Sequence, residues 1–285
     1  MEGNFYHPEI TTGVQAYNYG MKKLNEALGP DLRRGNFFIS LSIAPKFPSQ
    51  YAHSRRISCD VFGNISGATG SVEMMLNCLT YGWWTNRYVY QYNDPDYMVL
   101  YRAYNQNTQT LQLEDALVGY IAAAITGGLM FNSDLFTSGV NVGSYTSNSA
   151  HVTAALARVK AVLENYPDVN EMASASRTFR PLDSVTGGSN YSAAQTFVRD
   201  DREFDGSYYI AYFHLSRTGS TSFPAIPLER LGLNPSTTYT VYDVINGNEA
   251  GTVTGSMGAR TLSAMTNPTR PPIPVLLQLR PFVSY

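Results

Sequence analysis

Hydrophobic and polar positions follow one period in the first part of the chain and another in the last part. In residues 9–166, stretches with apolar positions three and four residues apart alternate with short apolar runs. The first pattern predicts helices and the second predicts strands. Helices are expected within 9–28, 71–81, 111–126 and 152–166, and strands at 37–43, 56–60, 88–92 and 129–131. Regular alternation of the two favours a parallel α/β sheet.

Polar side chains follow three of the four predicted strands. They are Asp60, the run Asn93 to Asp96, and the run Asn132 to Asp134. In a (β/α) barrel the carboxyl ends of the strands share one face, and the active site lies there. The pattern therefore favours a barrel over its alternative, a doubly wound sheet. Because a closed barrel of this type needs eight strands, the four predicted strands correspond to half of one.

A second kind of pattern begins after a Ser-, Gly-, Asn- and Thr-rich linker at 172–192. We divide the chain into a partial barrel at 1–175 and a second domain at 176–285. Short alternating runs separated by turn signals predict an antiparallel β-sandwich in the second domain. The runs are 196–198, 208–213, 238–242, 252–254 and 275–279. Asp200 and Asp201 are interpreted as a solvated turn, not as an acid pair.

Composition narrows the classes of partner. The net charge is −2 and only 15% of residues are charged, which argues against nucleic acid and anionic membranes, since both leave a basic footprint. The 21 Tyr, 13 Phe and 2 Trp suit neutral polar ligands such as sugars. Cys59 and Cys78 have no metal-binding spacing and are predicted to be buried thiols. We find no dinucleotide-binding glycine motif and predict no cofactor and no metal.

The stretch from His53 to Asp60 carries the first candidate chemistry. Arg56 and Asp60 stand four residues apart, with apolar Ile57 and Cys59 alternating between them. On one strand both polar side chains would share a face. An arginine beside a carboxylate can donate paired hydrogen bonds to vicinal hydroxyls and can shift the carboxyl pKa. A surface ion pair is the simpler alternative.

Three motifs occur in a fixed order: Arg56-x-x-x-Asp60, the Asn-Asp-Pro-Asp-Tyr run at 93–97, and the Gly-Gly-Leu-Met-Phe-Asn-Ser-Asp-Leu run at 127–135. Together they resemble the retaining α-galactosidases and α-N-acetylgalactosaminidases of glycoside hydrolase family 27 and their clan. In that family the corresponding motifs lie on barrel strands six, seven and eight, and a Greek-key β-sandwich follows. The resemblance implies that this chain holds strands five to eight and the sandwich.

The chain also departs from the family pattern. Tyr92 stands where the family has Trp, Tyr97 where it has Met, and Gly127-Gly128 where it has Ala-Pro. These differences indicate a divergent branch.

The resemblance implies a role for six residues. Asp60 corresponds to the general acid/base of the family. Substrate contacts are implied for five others, of which Asp94 is expected mainly to orient its loop and Ser42 to lie near the sugar's 2-substituent: Arg56, Asp96, Tyr97, Asp94 and Ser42. An acid in this position needs a raised pKa. In the family that shift comes from the neighbouring carboxylate nucleophile.

The nucleophile itself has no counterpart in the sequence. A retaining glycosidase needs two carboxylates about 5 Å apart, and the family places its nucleophile on strand four. We therefore expect a fragment or a split-gene product that is inactive alone and that requires an N-terminal half-barrel partner. The expected ligand is a galactoside-type carbohydrate, and the resemblance implies an extracytoplasmic location.

Two other functions and two other substrates remain open. The chain could be a carbohydrate-binding or assembly subunit without turnover. It could also be a different α/β enzyme, in which Asp60, Asp94 and Asp96 hold Mg²⁺ or Ca²⁺ through oxygen ligands. Among substrates a terminal α-galactoside leads. An α-N-acetylgalactosaminide and a β-L-arabinopyranoside are the alternatives. Ser42 and Ala44 are small enough to leave room for the 2-acetamido group of the former, or they are simply small residues in a loop.

Overall fold

The computed structural model describes residues 8–33, 37–47, 49–61, 63–67, 70–102, 110–142, 145–183, 194–215, 222–223, 225–257, 260–261 and 273–282. The helices in these ranges are α1 (Gly13–Arg33), α2 (Val72–Gly82), α3 (Leu113–Ile125), α4 (Ser149–Asn165) and α5 (Pro167–Ser174). The strands are β1 (Ser40–Leu41), β2 (Ser54–Arg56), β3 (Tyr92–Asp94), β4 (Tyr97–Met98), β5 (Phe131–Asn132), β6 (Asn141–Val142), β7 (Tyr145–Thr146), β8 (Arg180–Pro181), β9 (Thr196–Asp201), β10 (Ser207–His214), β11 (Ser222–Phe223), β12 (Ile226–Pro227), β13 (Tyr239–Asp243), β14 (Asn248–Val253), β15 (Ser256–Met257), β16 (Arg260–Thr261) and β17 (Ile273–Pro281).

All four predicted helices are confirmed, and their ends have local causes. The Ser71 hydroxyl accepts a hydrogen bond from Met74 N at 3.1 Å and so caps α2. Asn148 caps α4 in the same way, through the His151 N–H. After α3 the chain turns at Gly127, whose φ of +70° favours a residue without a side chain.

The predicted end of α1 is wrong. The helix was expected within 9–28, yet it continues through Gly29 and Pro30 to Arg33. Proline cannot donate the hydrogen bond to the carbonyl four residues earlier, but it accepts a helical φ. Near the end of a helix the loss of one such bond does not terminate it.

The first sheet is parallel, as predicted. Strands β1, β2 and β3 lie side by side in chain order. A parallel bridge joins Asn93 to Gly128, and β4 pairs in parallel with β5. The strands of this region therefore pair in the order in which they occur along the chain.

Three strand predictions in this region need correction. The run at 37–43 was expected to be a buried strand, but only Ser40–Leu41 pairs and Ile43 is 92% exposed. Strand β2 ends at Arg56, so 57–60 is a loop. Residues 88–91 form a turn, and β3 begins only at Tyr92. Ile43 and Tyr88 in these segments are exposed at 92% and 83%, whereas Tyr90 is buried although it lies in a turn.

The second sheet is antiparallel and has six strands in the order β14–β13–β17–β10–β9–β8. Its five predicted strands are confirmed. One face packs against helices α2, α3 and α5, and this hydrophobic cluster includes Phe197, Phe213 and Leu276. The other face packs under the short strands β11, β12 and β15, with Ile210, Val241 and Met257 in a second cluster. Burial on both faces makes this sheet the centre of the described structure.

The burial predicted from the sequence is wrong for Asp201 and for the cysteines. Asp201 is not in a solvated turn: it ends β9, is 1% exposed and lies between two arginines. Asp200, beside it, points to the other face and pairs with Arg202. Cys59 is exposed and Cys78 is only half-buried, because Cys59 lies in the loop that follows β2 and not on a strand.

The last part of the predicted linker, from residue 184 onward, lies outside the described residues. Its first part is ordered into α5 and β8. Along the described chain, no helix combines the length and the apolar character needed to cross a membrane.

Candidate active site

The parallel register places Arg56 and Asp94 side by side at the carboxyl ends of β2 and β3, where they are direct Cα partners. Arg56 extends one guanidinium nitrogen to Asp60 Oδ1 at 2.7 Å and the other to Asp96 Oδ1 at 2.6 Å. Its side chain is 10% exposed. A guanidinium forks into two hydrogen bonds in one plane, and here the fork joins two carboxylates from different strand ends. We call Arg56, Asp60, Asp94 and Asp96 the Arg56 cluster.

The ion pair between Asp60 and Arg56 does not form because the two side chains share one face of a strand. Four residues of extended strand span about 13 Å, too far for the observed ion pair. The chain instead leaves the strand after Arg56 and bends, which brings the Asp60 carboxylate back to the guanidinium. Half of the Asp60 side chain is exposed (50%). It is therefore the carboxylate of the cluster that an incoming ligand can reach.

Asp96 is a buried anchor for this bend. Its side chain is 9% exposed, and its second oxygen accepts the Val61 N–H at 2.7 Å. Its backbone φ is +77°, a conformation that costs a non-glycine residue about 1–3 kcal/mol and is found at functional sites. The contacts of Asp96 with Arg56 and Val61 hold the loop that carries Asp60.

Asp94 organises the same loop from below. Its Oδ1 accepts the Asp96 N–H at 2.7 Å, and its Oδ2 accepts the Ser40 hydroxyl at 3.0 Å. Ser40 in turn accepts the Ser54 hydroxyl at 2.7 Å. Burial raises the pKa of the Asp94 carboxyl above its ordinary value, although both hydrogen bonds oppose the shift.

Ser42 and Tyr97 are the two predicted site residues that no described contact joins to the cluster. Ser42 is exposed in the loop after β1. Tyr97 lies in β4, opposite Phe131 of β5, and its side chain is outside the described part of the structure. The described geometry therefore gathers Arg56, Asp60 and the two aspartates of the Asn-Asp-Pro-Asp run.

Close backbone packing sets the position of that run. A Cβ on Gly128 would lie 1.3 Å from the Asn93 carbonyl oxygen. This carbonyl accepts the Leu129 N–H at 3.0 Å. The Asn93 side chain bonds to Thr85 and to the Thr126 carbonyl. Glycine at 128 thus lets the strand after α3 approach β3.

Sequence reasoning missed the serine pair beneath the cluster. Ser40 and Ser54 are Cα partners on β1 and β2, and Ser54 is fully buried. The sequence signal that could have indicated the pair is Ser40, a polar residue inside the apolar run 37–43. In the sheet its strand, β1, lies two strands away from β3, which carries Asp94. Asp134, part of a recognised motif, accepts the N–H groups of Leu100, Tyr101 and Arg102 at 2.6–2.9 Å. Its carboxylate is therefore occupied by the backbone.

The cluster can orient one open carboxylate and offer it to a ligand hydroxyl or glycosidic oxygen. It does not favour a metal ion, because Arg56 already occupies an oxygen of both Asp60 and Asp96. Over the described ranges, no group of three His, Cys, Asp or Glu side chains is placed to hold a metal. The metal-cluster alternative consequently has no geometric support.

No protein-family model and no curated protein sequence matches the chain. Solved structures do. A β-L-arabinopyranosidase of glycoside hydrolase family 27 from Geobacillus stearothermophilus, in complex with arabinose, matches 86% of the chain with a TM-score of 0.55 and 13% identity. The α-galactosidase I of Mortierella vinacea matches 97% of the chain with a TM-score of 0.59 and 14% identity.

The described chain has a family 27-like fold. A third similar structure, the isomalto-dextranase of Arthrobacter globiformis T6 complexed with panose, matches 94% of the chain with a TM-score of 0.59 and 15% identity. The chain spans only 51% of the arabinopyranosidase, 66% of the α-galactosidase and 41% of the isomalto-dextranase. At these identities the similarity establishes the fold and leaves activity to be argued from the site.

Proposed function

We propose that this chain is the part of a retaining exo-glycoside hydrolase that carries the general acid/base, and that the enzyme removes terminal α-galactosyl residues by double displacement. The observation that supports this most is the ion pair between Arg56 and the half-exposed Asp60, at the carboxyl ends of parallel strands. Asp60 would donate a proton to the glycosidic oxygen and later accept one from water. Arg56 would orient Asp60 and bind sugar hydroxyls.

The remaining site residues take supporting roles in this proposal. Asp96 and Tyr97 line the sugar subsite, and Ser42 lies near the 2-substituent. Asp94 orients the loop through its bond to the Asp96 N–H. Residues 1–175 form half of a (β/α)₈ barrel with strands five to eight, and residues 176–285 form the β-sandwich.

A second carboxylate must come from outside this set, because double displacement needs a nucleophile as well as an acid. We assign it to an N-terminal half-barrel. Both outer strands of the parallel region support this. Strand β1 is an edge, with Phe38 47% and Ile43 92% exposed beside it, and at the opposite edge Phe131 is 46% exposed. An added half-barrel would pair both edges and cover these side chains.

The test is reconstitution of hydrolysis. The chain is assayed alone, and then with a family 27 N-terminal half-barrel supplied as a second polypeptide. The substrates are p-nitrophenyl α-galactoside, α-N-acetylgalactosaminide and β-L-arabinopyranoside. We expect turnover only in the mixture, with the α-galactoside hydrolysed fastest. Robust hydrolysis by the chain alone would contradict the missing nucleophile.

Variants separate the acid role from general damage. Asp60→Asn should lower kcat/KM of the mixture by about 10²–10⁴-fold, the usual contribution of general acid catalysis. Glu229→Gln, at an exposed position outside the Arg56 cluster, should leave kcat/KM of the mixture unchanged. If Asp60→Asn is as active as the native chain, Asp60 is not the acid.

The second candidate is a carbohydrate-binding or assembly subunit without turnover. It is favoured by the fact that Asp60 is the one half-exposed carboxylate of the Arg56 cluster, since Asp94 and Asp96 are buried. A silent mixture in which the chain still binds galactose, and loses that binding in Arg56→Gln, would favour this candidate over the hydrolase.

A further inference from the structure

A cavity of about 550 Å³ lies far from the chemistry discussed above, between α5 and one end of the antiparallel sheet. None of the residues of the Arg56 cluster lines it. Its walls come from α5, from the hairpin between β9 and β10, and from β13, β14 and β17. It is a second concave site, independent of the proposed glycosidase function.

Three neighbouring strands give the cavity a floor with polar groups. Successive Cα partners on β10, β17 and β13 are Tyr209, Gln278 and Tyr242, which all line the cavity, and Arg199 on β9, the Cα partner of Tyr209, lies behind it and pairs with Asp201. Two residues further along the same strands, the same face is apolar and belongs to the core under α3: Phe197, Ala211, Leu276 and Val244. A sheet face that packs on helices is normally apolar along its length. The rings of Tyr209 and Tyr242 still pack on this core, while the two hydroxyls, the Gln278 amide and the Arg199 guanidinium make this level of the sheet polar.

Asp201 supplies the deepest carboxylate. It is 1% exposed, and its Oδ2 lies 2.7 Å from Arg199 Nη2 and 2.9 Å from Arg177 Nη2. Its Oδ1 is buried and has no hydrogen-bond partner among the described atoms. Because buried acceptors in folded proteins are almost always bonded, this oxygen calls for a donor, and Asp201 lines the cavity.

The cavity carries more negative than positive charge. Five acidic side chains line it, Asp168, Glu171, Asp201, Asp205 and Glu249, against three arginines: Arg177 and Arg280 in the lining, and Arg199, which pairs with Asp201 behind it. No described residue pairs with the exposed carboxylates of Glu171 and Glu249. Tyr209 and Tyr242 add aromatic rings to the wall. An excess of carboxylates in a concave site raises the local concentration of cations, and aromatic faces attract ammonium groups.

We propose that this cavity binds a small organic cation with two or more amino groups, of the diamine or polyamine type. A primary ammonium has three donors and no acceptor, so one group satisfies Asp201 Oδ1 in the floor. A second group lies at the rim between Glu171 and Glu249. The surplus of carboxylates disfavours anions.

Calorimetric titration of the full chain tests the proposal with putrescine and spermidine, and with galactose and succinate as a neutral and an anionic control. We expect saturable binding of both amines, tighter for spermidine, and weaker binding at high ionic strength because salt screens exposed charges. Saturable binding of galactose with no response to amines would overturn the proposal in favour of a neutral-sugar site. No binding of any of the four would also overturn it.

Variants locate the amine. The double variant Glu171→Gln, Glu249→Gln should weaken spermidine binding by about two- to fivefold for each carboxylate removed, as for exposed ion pairs. Glu164→Gln on α4, outside the cavity, is the matched control and should have no effect. Asp201→Asn should abolish the site, with circular dichroism to verify folding. If that variant does not fold, the double variant decides: unchanged amine affinity would show that binding occurs elsewhere.

Discussion

The antiparallel sheet and the parallel region both contain apolar runs, but they differ in strand length and in the burial of those apolar side chains. In the antiparallel sheet, β10 has eight residues and β17 has nine, and side chains on both faces are buried. In the parallel region, paired segments are two or three residues long, and Phe38 and Ile43 remain exposed. Parallel sheets are stable when both faces are covered. The difference shows that apolar side chains stabilise a strand only where another element packs on them.

The candidate chemistry lies in the less covered region. Arg56, Asp94 and Asp96 are held by hydrogen bonds and ion pairs to each other and to backbone N–H groups. The antiparallel sheet, in contrast, holds its residues by packing. A site at the ends of short parallel strands therefore depends on a few polar contacts, and it can be perturbed without unfolding the second sheet.

The largest difference in unfolding free energy is expected when one phenylalanine is replaced by alanine in each of the two regions. Phe213→Ala, at a fully buried position beside Phe197, should lower the free energy of unfolding by about 3–5 kcal/mol. Phe38→Ala, at a 47% exposed position stacked on His53, should cost about 1 kcal/mol or less. Urea denaturation measures both. Equal losses would contradict the contrast between the two sheets.

The next largest effect tests the close approach of strands in the parallel region. In Gly128→Ala the new Cβ would overlap the Asn93 carbonyl, so β3 or the strand after α3 must move. We expect a loss of about 3 kcal/mol in unfolding free energy, the upper range for overpacking. Gly82→Ala, where no atom lies within 4 Å, is the control and should be neutral or slightly stabilising. A tolerant position 128 would show that this region is loosely packed.

A pH-dependent effect is expected at Asp94. Because the folded protein raises the pKa of this carboxyl, the folded state binds its proton more tightly than the unfolded chain does. The stabilisation is complete below the ordinary aspartate pKa of about 3.9 and is lost as pH rises through the raised value. Asp94→Asn should remove that part of the pH dependence. The check is the difference in unfolding free energy between variant and native chain, which should grow in the variant's favour above about pH 4.

Other groups contribute to the native curve. Asp201 and Asp243 also have pKa values raised by burial, whereas the hydrogen bond from Arg202 lowers the pKa of Asp200. Subtracting the Asp94→Asn curve cancels these shared contributions. A difference that does not change with pH would contradict a shifted Asp94.

The smallest effect on stability is expected at the open edge. Ile43 is 92% exposed, so Ile43→Ser should change the unfolding free energy by no more than about 0.5 kcal/mol. The same change should reduce self-association, measured by sedimentation velocity, because exposed apolar side chains beside an unpaired strand promote it. A large loss of stability instead would mean that Ile43 is covered in solution.

Element type was predictable where local chemistry agreed with packing. The helices were predicted from the spacing of their apolar residues, and in the structure Ser71 and Asn148 cap two of them. The strands around Ile210 and Val241 were predicted from short runs separated by turn signals, and the structure pairs both in a sheet that is buried on both faces. Prediction failed in the parallel region, where the run 37–43 is apolar but uncovered and 57–60 is a loop.

Part of the candidate site was also predictable. The sequence pointed to Arg56, Asp60 and the Asn-Asp-Pro-Asp run, and the structure brings these side chains together. The sequence did not point to Ser40 and Ser54, whose hydroxyls form a hydrogen bond only because β1 and β2 pair in one register. Asp201 was misassigned, because the guanidinium groups of Arg177 and Arg199 that surround it are brought there by the segment between α5 and β8 and by β9 itself.

The sequence by itself determined the alternation of helices and strands, the change to antiparallel pairing, and the order of the polar motifs at strand ends. These depend on residue period and on turn and cap chemistry, which act over a few positions. Only the tertiary structure decided which apolar runs are buried, how the loop after Arg56 bends to return Asp60 to the guanidinium, and where buried charges collect. Those outcomes depend on contacts between residues far apart in the chain, such as Arg56 with Asp96 and Arg177 with Asp201.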